Sequence, residues 1–211
     1  MLIAGTRVSP LALALPIVAM MAVVAASNVA VQYPVQFFGL EEALTWGAFT
    51  YPLAFLVNDL TNRRFGPAVT RRVVYVGFAL AVLLSVWLAT PRIALASGSA
   101  FLVGQLLDIT VFNRLRRMSW WQAPLAGSLL GSALDTMLFF SLAFAGDADM
   151  SFPVTYASTG ITVPLWVGLA YFDFLVKLGC ALLALVPYGA LMGRLKPWTA
   201  PASGPVSGTS A

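Results

Sequence analysis

Residues 163–186 read VPLWVGLAYFDFLVKLGCALLALV, an apolar stretch whose charged side chains are Asp173 and Lys177. The hydrocarbon core of a bilayer is roughly 30 Å thick and takes about 20 residues of α-helix to cross. This stretch is long enough, so it predicts a transmembrane helix. Asp173 and Lys177 are four residues apart, so they share one face of that helix and can pair.

Five further stretches are apolar and long enough to be considered as spans. They are 10–31, 43–57, 73–89, 93–112 and 123–145, of which 43–57 is short. Of the 211 residues, 60% are apolar and only 9% are charged. A soluble domain carries about 25% charged residues, so this composition fits lipid as the solvent. The sequence predicts an all-α membrane protein, a bundle of six transmembrane helices.

The basic residues predict the orientation of the bundle, because cytoplasmic loops are enriched in Lys and Arg. Most of them fall on one side of the six spans: Arg7, Arg63, Arg64, Arg71, Arg72, Arg114, Arg116, Arg117, Arg194 and Lys196. The opposite side carries Arg92 and the acidic residues Glu41, Glu42, Asp147 and Asp149. Both termini are therefore predicted to be cytoplasmic.

Both ends of the chain need a separate interpretation. Residues 25–27, Ala-Ala-Ser, resemble a signal-peptide cleavage site, but five spans follow and Asn28 and Gln32 continue the segment. A retained first helix is favoured, and a mature protein that starts at Asn28 would contradict it. Residues 1–196 are predicted to form one domain. Residues 197–211, rich in Pro, Ala, Ser, Gly and Thr, are predicted to be a disordered tail.

Ionisable side chains inside the predicted spans are the first indication of function. Asp108, Asp135, Asp173 and Lys177 would each cost about 2.5–3.5 kcal/mol at the centre of a span, so they should face the bundle interior or a wet cavity. Asp135 and Asp173 lie at similar depths in antiparallel spans. Three acids against one base require a proton, a cation, a substrate donor or water. A purely structural ion pair between helices is the alternative.

Neutral polar side chains accompany these charges. Asn28 and Gln32 are four residues apart on the first span, and Gln105 lies on the fourth. Each fits either substrate recognition or hydrogen bonding between helices. Trp46, beside the second span, fits either an interfacial anchor or a surface on which a flat heterocycle stacks.

Several classes of function lack their residues. The chain has no histidine and no G-x-x-x-x-G-K-[ST] loop, so it has no nucleotide site of its own to drive transport. Its single cysteine, Cys180, excludes an internal disulfide and metal sites of the C-x-x-C type. The basic residues are dispersed in short clusters, which argues against nucleic-acid binding. We therefore expect no enzyme activity, no metal and no cofactor.

More specific strings follow from the second span onward. They are TWGAFTYP at 45–52, NDLT at 58–61, GQLLDITVFNRL at 104–115 and the Asp135-Thr136 pair. Together they resemble the queuosine precursor transporter family, long described as vitamin uptake transporters, over roughly residues 26–188. The outer connection at 90–92 is shorter than is familiar in that family, which argues against a role for it in substrate access.

The resemblance implies import of 7-cyano-7-deazaguanine, and of its aminomethyl form, across a bacterial inner membrane for salvage into the queuosine of tRNA. A deazaguanine presents N–H donors that a carboxylate can accept, while Asn or Gln reads its carbonyl side. Aromatic rings stack on such a base for about 1–3 kcal/mol. The predicted substrate-binding residues are Asn28, Gln32, Trp46, Gln105, Asp108, Asp135, Asp173 and Lys177.

Alternatives remain open at the level of sequence. The chain fits a stand-alone carrier or facilitator, the substrate-binding subunit of an energy-coupling-factor transporter, or a membrane scaffold protein that binds no ligand. Proton coupling and facilitated diffusion fit equally well. The partners expected are a deazapurine substrate and membrane lipid, and a homodimer is compatible with so small a bundle.

Overall fold

The computed structural model describes residues 2–3, 6–7, 9–36, 44–156 and 160–199. These residues are mostly helical. The helices are α1 (Pro10–Ala30), α2 (Gly47–Thr50), α3 (Leu53–Phe65), α4 (Pro67–Leu88), α5 (Pro91–Leu115), α6 (Gln122–Phe144) and α7 (Leu165–Met192). Two antiparallel hairpins pair β1 (Leu2–Ile3) with β2 (Thr6–Arg7) and β3 (Pro153–Tyr156) with β4 (Ile161–Pro164).

Among the described residues, five helices of 21 to 28 residues are long and apolar enough to cross a membrane. They are α1, α4, α5, α6 and α7, and each overlaps one of the predicted spans. The prediction of a largely helical membrane protein is thereby confirmed. Helix α4 begins six residues before the predicted 73–89, because Pro67 occupies the first helical turn, where its missing N–H costs nothing.

The second predicted span, 43–57, is wrong as a single helix. The structure has a four-residue helix α2 and a 13-residue helix α3 instead. Pro52, which has no N–H, separates them. Helix α3 then continues to Phe65 through polar residues that face neighbouring helices rather than lipid, so hydropathy ends eight residues before the helix does.

Glycines allow α5 and α6 to pack closely. The spacing of Gly127 and Gly131 predicts such a contact, and the structure confirms it. A Cβ on Gly131 would lie 2.9 Å from the Gly104 carbonyl oxygen and 2.7 Å from a ring carbon of Phe55. A Cβ on Gly104 would lie 3.0 Å from the Gly131 carbonyl oxygen. The two backbones therefore touch, which brings the polar faces of α5 and α6 together.

The apolar core lies on the other side of α5, among α1, α3 and α4. Met20, Val24, Val73, Val74 and Phe101 are buried there in one cluster. This arrangement leaves one face of α5 for the core and the other for polar contacts with α3 and α6. The polar groups are thus sealed from lipid by apolar helices.

Arg92 closes the carboxyl end of α6. Its Nε donates to the Leu142 carbonyl at 2.9 Å, and its Nη2 donates to the Ala145 carbonyl at 2.6 Å. These carbonyls have no partner within the helix, so a cation is favoured there. The chain then continues into the β3–β4 hairpin, while Glu41 and Glu42 lie outside the described residues.

Trp198 packs against the opposite end of the bundle. Its backbone N–H donates to the Arg63 carbonyl at 2.8 Å, and the Arg116 guanidinium lies 4.9 Å from its ring centre. Residues 200–211 of the predicted tail lie outside the described residues. The division into a domain of 1–196 and a disordered tail stays a prediction.

Candidate functional site

Asp135, Thr136, Asp173 and Lys177 form a hydrogen-bonded group between α6 and α7, which we call the lysine cluster. Lys177 Nζ lies 2.8 Å from Asp135 Oδ2 and 2.6 Å from Asp173 Oδ2. It also donates to Thr136 Oγ1 at 3.0 Å. Thr136 Oγ1 in turn donates to Asp173 Oδ2 at 2.8 Å. The four side chains therefore act as one unit.

The lysine cluster is buried except for Asp173, whose side chain is 14% exposed, and it carries a formal excess of negative charge. Asp135 is 3% exposed and Lys177 is 5% exposed. An ammonium has three donors, and the protein supplies an acceptor for each of them. Lys177 is thus fully engaged, whereas the two carboxylates keep lone pairs for other donors. Two carboxylates around one ammonium leave a formal charge of −1.

A cavity of about 540 Å³ adjoins the lysine cluster. It extends from Asp135 and Asp173 to the α4–α5 turn at Ala89 and Thr90, and to Met150 after α6. Small-molecule sites commonly measure about 300–1,000 Å³, so a bicyclic heterocycle fits this space. The carboxylates of Asp135 and Asp173 line it, so they can accept hydrogen bonds from a ligand.

Aromatic side chains line the same cavity. Tyr51, Phe139 and Phe140 border it, and Lys177 Nζ lies 5.5 Å from the centre of the Tyr51 ring. Tyr51 owes its place to the α2–α3 break, because it follows α2 directly and precedes Pro52. The site thus combines flat apolar surfaces with two carboxylates.

Four of the predicted site residues line the cavity: Asn28, Asp135, Asp173 and Lys177. Asn28 Nδ2 donates to the Val24 carbonyl at 2.9 Å, and Asn28 Oδ1 accepts from Ser85 Oγ at 3.3 Å. Asn28 therefore joins α1 to α4 as well as bordering the cavity.

Gln32 and Trp46 do not line the cavity. Gln32 is exposed and donates to the Asn28 carbonyl at 3.3 Å, one turn back on its own segment. Trp46 is 43% exposed, and its ring centre lies 5.7 Å from that of Phe49. The exposure of Trp46 suits an interfacial anchor.

Gln105 and Asp108 also lie away from the cavity, in a second polar group between α3, α5 and α6. We call it the buried carboxylate cluster, and it consists of Asn58, Asp59, Asn62, Gln105, Asp108 and Ser128. Asn58 Nδ2 donates to Asp108 Oδ2 at 2.7 Å, and Ser128 Oγ donates to Asp59 Oδ2 at 3.4 Å. The side chains expected in one pocket are therefore divided between two clusters.

The sequence interpretation missed Tyr51, Thr136, Asn58 and Asp59 as polar groups of the interior. Asn58 and Asp59 were missed because the second span was ended at residue 57. A helical periodicity continued through 58, 59 and 62 would have shown that these polar residues share one face. For Thr136, the available signal was its position beside Asp135.

Replacing Thr136 with valine tests whether the hydroxyl matters. Valine keeps the shape but removes the donor to Asp173 and the acceptor for Lys177, so ligand binding is expected to weaken roughly tenfold, since such a bond contributes about 1–3 kcal/mol. Isothermal titration with the ligand measures the effect. Thr110→Val is the matched control, because Thr110 donates only to the Leu106 carbonyl of its own helix. Equal affinity in both variants would contradict the role of Thr136.

Comparison with known proteins gives this geometry a context. The family model described as "Putative vitamin uptake transporter" matches residues 45–90 and 84–192. The chain is 35% identical over 195 residues to the "Queuosine precursor transporter" of Escherichia coli (strain K12), a match that covers 82% of this chain and 83% of that protein. The chain belongs to the queuosine precursor transporter family. The resemblance found from sequence strings is thereby confirmed.

Two further relatives match over a similar share of the chain. The "Probable queuosine precursor transporter" of Haemophilus influenzae (strain ATCC 51907 / DSM 11121 / KW20 / Rd) is 35% identical, with 81% of this chain and 82% of that protein covered. Its namesake in Bacillus subtilis (strain 168) is 25% identical, with 81% and 80% covered. No solved structure matches the chain significantly. Family membership, together with five helices long and apolar enough to cross a membrane, indicates a multi-pass membrane transporter.

Proposed function

We propose that this chain imports queuosine precursors, 7-cyano-7-deazaguanine first and its aminomethyl form second, across the bacterial inner membrane. One observation carries the proposal. In a chain 35% identical to a protein named for this transport, a cavity of about 540 Å³ is lined by two carboxylates, buried Asp135 and half-buried Asp173, that Lys177 holds. Such an end suits a neutral heterocycle rich in N–H donors.

The lysine cluster matches the donors of the base. Asp135 and Asp173 accept N–H and amino donors, while the Lys177 ammonium bonds both carboxylates and fixes their orientation. The rings of Tyr51, Phe139 and Phe140 supply stacking and apolar contact. A cationic aminomethyl group would be attracted by the formal excess of one negative charge. Only the aminomethyl form is attracted by this negative charge, so the affinities of the two precursors should depend differently on salt concentration.

The contacts between α1 and α4 support six crossings, because the chain that connects these two helices must return across the membrane. Leu13, near the start of α1, packs against Val69 near the start of α4. Asn28, near the end of α1, bonds Ser85 near the end of α4. The two helices therefore run in the same direction. We propose that α2 and α3 together return the chain, which with the basic residues of one side places both termini in the cytoplasm.

A secondary carrier or facilitator fits these features best. The whole cavity lies within one protomer, so the proposal requires no second copy, and a homodimer stays a prediction. No nucleotide-binding loop is present in the sequence to supply energy. The substrate gradient then drives a facilitator, and an ion gradient drives a secondary carrier.

Flux into proteoliposomes that contain only this chain tests the proposal. Labelled 7-cyano-7-deazaguanine should enter, and Asp135→Asn and Asp173→Asn should each reduce the rate at least tenfold by removing a charged acceptor. Asp149→Asn is the control, because Asp149 is exposed and lies outside the helices. Ligand binding without flux would favour an energy-coupling-factor subunit, and no binding at all would favour a scaffold.

A further inference from the structure

The buried carboxylate cluster holds two acids with no basic partner. Asp59 is 3% exposed and Asp108 is 1% exposed, and neither forms an ion pair within the described part of the chain. Arg116 reaches this region only through Nη2, which donates to the Asn62 carbonyl at 2.9 Å. Removing unpaired carboxylates from water costs several kcal/mol each, so something must compensate them.

Five buried oxygens of this cluster have no hydrogen-bond partner among the described residues. They are Asn58 Oδ1, Asp59 Oδ1, Asn62 Oδ1, Gln105 Oε1 and Asp108 Oδ1. The Asn58 amide is fixed by its Nδ2, which donates to Asp108 Oδ2, so its free oxygen stays beside that carboxylate. Buried polar groups are paired in the great majority of cases, and exceptions indicate a ligand, an ion or water.

The chemistry of these atoms selects a cation. While both aspartates are ionised, all five are acceptors and cannot satisfy one another. Within the cluster the donor without a partner is Gln105 Nε2, and Arg116 Nη1 is a further buried donor without one. Protons would neutralise Asp59 and Asp108 and supply at most two O–H donors, which leaves at least one of the three amide oxygens without a partner. Water would satisfy the amides but would not neutralise two carboxylates. A hard metal ion does both, since carboxylate and carbonyl oxygens are its preferred ligands.

We propose that the buried carboxylate cluster binds one sodium ion, with Asp59, Asp108 and the amide oxygens of Asn58 and Asn62 as the principal ligands. A monovalent ion suits the interior of a carrier, because it is released more readily than a divalent ion held by two carboxylates. Among the described residues no group of three His, Cys, Asp or Glu side chains could hold a metal ion, so the proposed site needs the amide oxygens as ligands.

The sodium site adjoins the lysine cluster through the α5–α6 contact. A Cβ on Gly131 would lie 3.3 Å from the Asp108 Cβ, and a Cβ on Gly104 would lie 3.1 Å from the Asp135 Cβ. The contacting helices α5 and α6 thus carry Asp108 of the buried carboxylate cluster and Asp135 of the lysine cluster, respectively. An ion that draws α3, α5 and α6 together would set the position of Asp135. This coupling step rests on the proposed substrate, whereas sodium binding itself does not.

Equilibrium binding of ²²Na⁺ to the purified full chain in detergent tests the site directly. Saturable binding of one ion per chain is expected, with no displacement by equal potassium or choline. Asp108→Asn and Asp59→Asn should lower the affinity at least tenfold. Asp149→Asn, which changes an exposed carboxylate outside the helices, should bind as the wild type does. Absence of saturable binding, or unchanged binding in Asp108→Asn, would overturn the proposal, as would displacement by micromolar calcium.

Ser128→Ala keeps the test decisive if the aspartate variants fail to fold. It removes only the weak donor to Asp59, at 3.4 Å, and leaves both charges in place. Removing this donor should change sodium affinity several-fold, and wild-type sodium affinity in a folded Ser128→Ala protein would count against the site. Thermal shift with 7-cyano-7-deazaguanine, measured with and without sodium, separates the two hypotheses. A sodium-independent shift in Tm with no ²²Na⁺ binding would overturn the sodium site but would leave the proposed substrate supported.

Discussion

Lys177→Met is expected to reduce uptake of 7-cyano-7-deazaguanine into proteoliposomes more than 100-fold. Methionine fills the space but leaves the carboxylates of Asp135 and Asp173 side by side without a counter-charge. Removing one partner from a buried ion pair costs about 3–5 kcal/mol, so the free energy of unfolding should fall by a similar amount. Uptake rate and thermal unfolding in detergent measure the two effects.

Lys196→Met is the matched control, because Lys196 follows the last helix and takes no part in the lysine cluster. It should transport like the wild type. Lys177→Arg separates function from folding. Arginine retains the charge, but its planar guanidinium cannot reach three acceptors arranged around an ammonium, so uptake should still fall at least tenfold. Wild-type uptake by Lys177→Met would contradict the proposed role of the lysine cluster.

Gly131→Ala is expected to destabilise the bundle. The added methyl would lie 2.9 Å from the Gly104 carbonyl oxygen and 2.7 Å from the Phe55 ring, so α5 and α6 must separate. Overpacking of this kind costs about 1–3 kcal/mol, which corresponds to a fall in Tm of about 2–12 °C for a chain of this size. Thermal unfolding in one detergent, followed by tryptophan fluorescence, measures it.

Gly179→Ala provides the comparison within a helix. No atom lies within 4 Å of the position that a Cβ on Gly179 would occupy, and alanine favours helix over glycine. Its Tm should equal or slightly exceed that of the wild type. Equal unfolding temperatures for the Gly131 and Gly179 variants would show that the α5–α6 contact tolerates separation.

The membrane class and the long helices were predictable because lipid imposes a simple rule on composition. A span needs about 20 apolar residues, and that pattern is local. The pairing of Asp173 with Lys177 was equally accessible, because four residues make one turn of helix. The sequence also indicated that Asp135 lies at a similar depth, since α6 and α7 are antiparallel.

Helix α3 shows where hydropathy fails. Asn58, Asp59 and Asn62 are buried there, although a hydropathy pattern reads them as a loop. Polar residues inside a membrane protein are compatible with a helix when they face other helices, and that depends on neighbours distant in sequence. The same limit explains why Gln105 and Asp108 were assigned to the substrate pocket.

By itself, the sequence determined that this chain is a membrane protein, which family it belongs to, and which charged residues lie within its spans. Those facts follow from composition, spacing and specific strings. Only the tertiary structure decided how the charges are grouped. The close contact of α5 with α6 turns Asp108 towards α3 and leaves Asp135 with Lys177. The physical reason is that a helix face is fixed by sequence, whereas the helix opposite that face is fixed by packing.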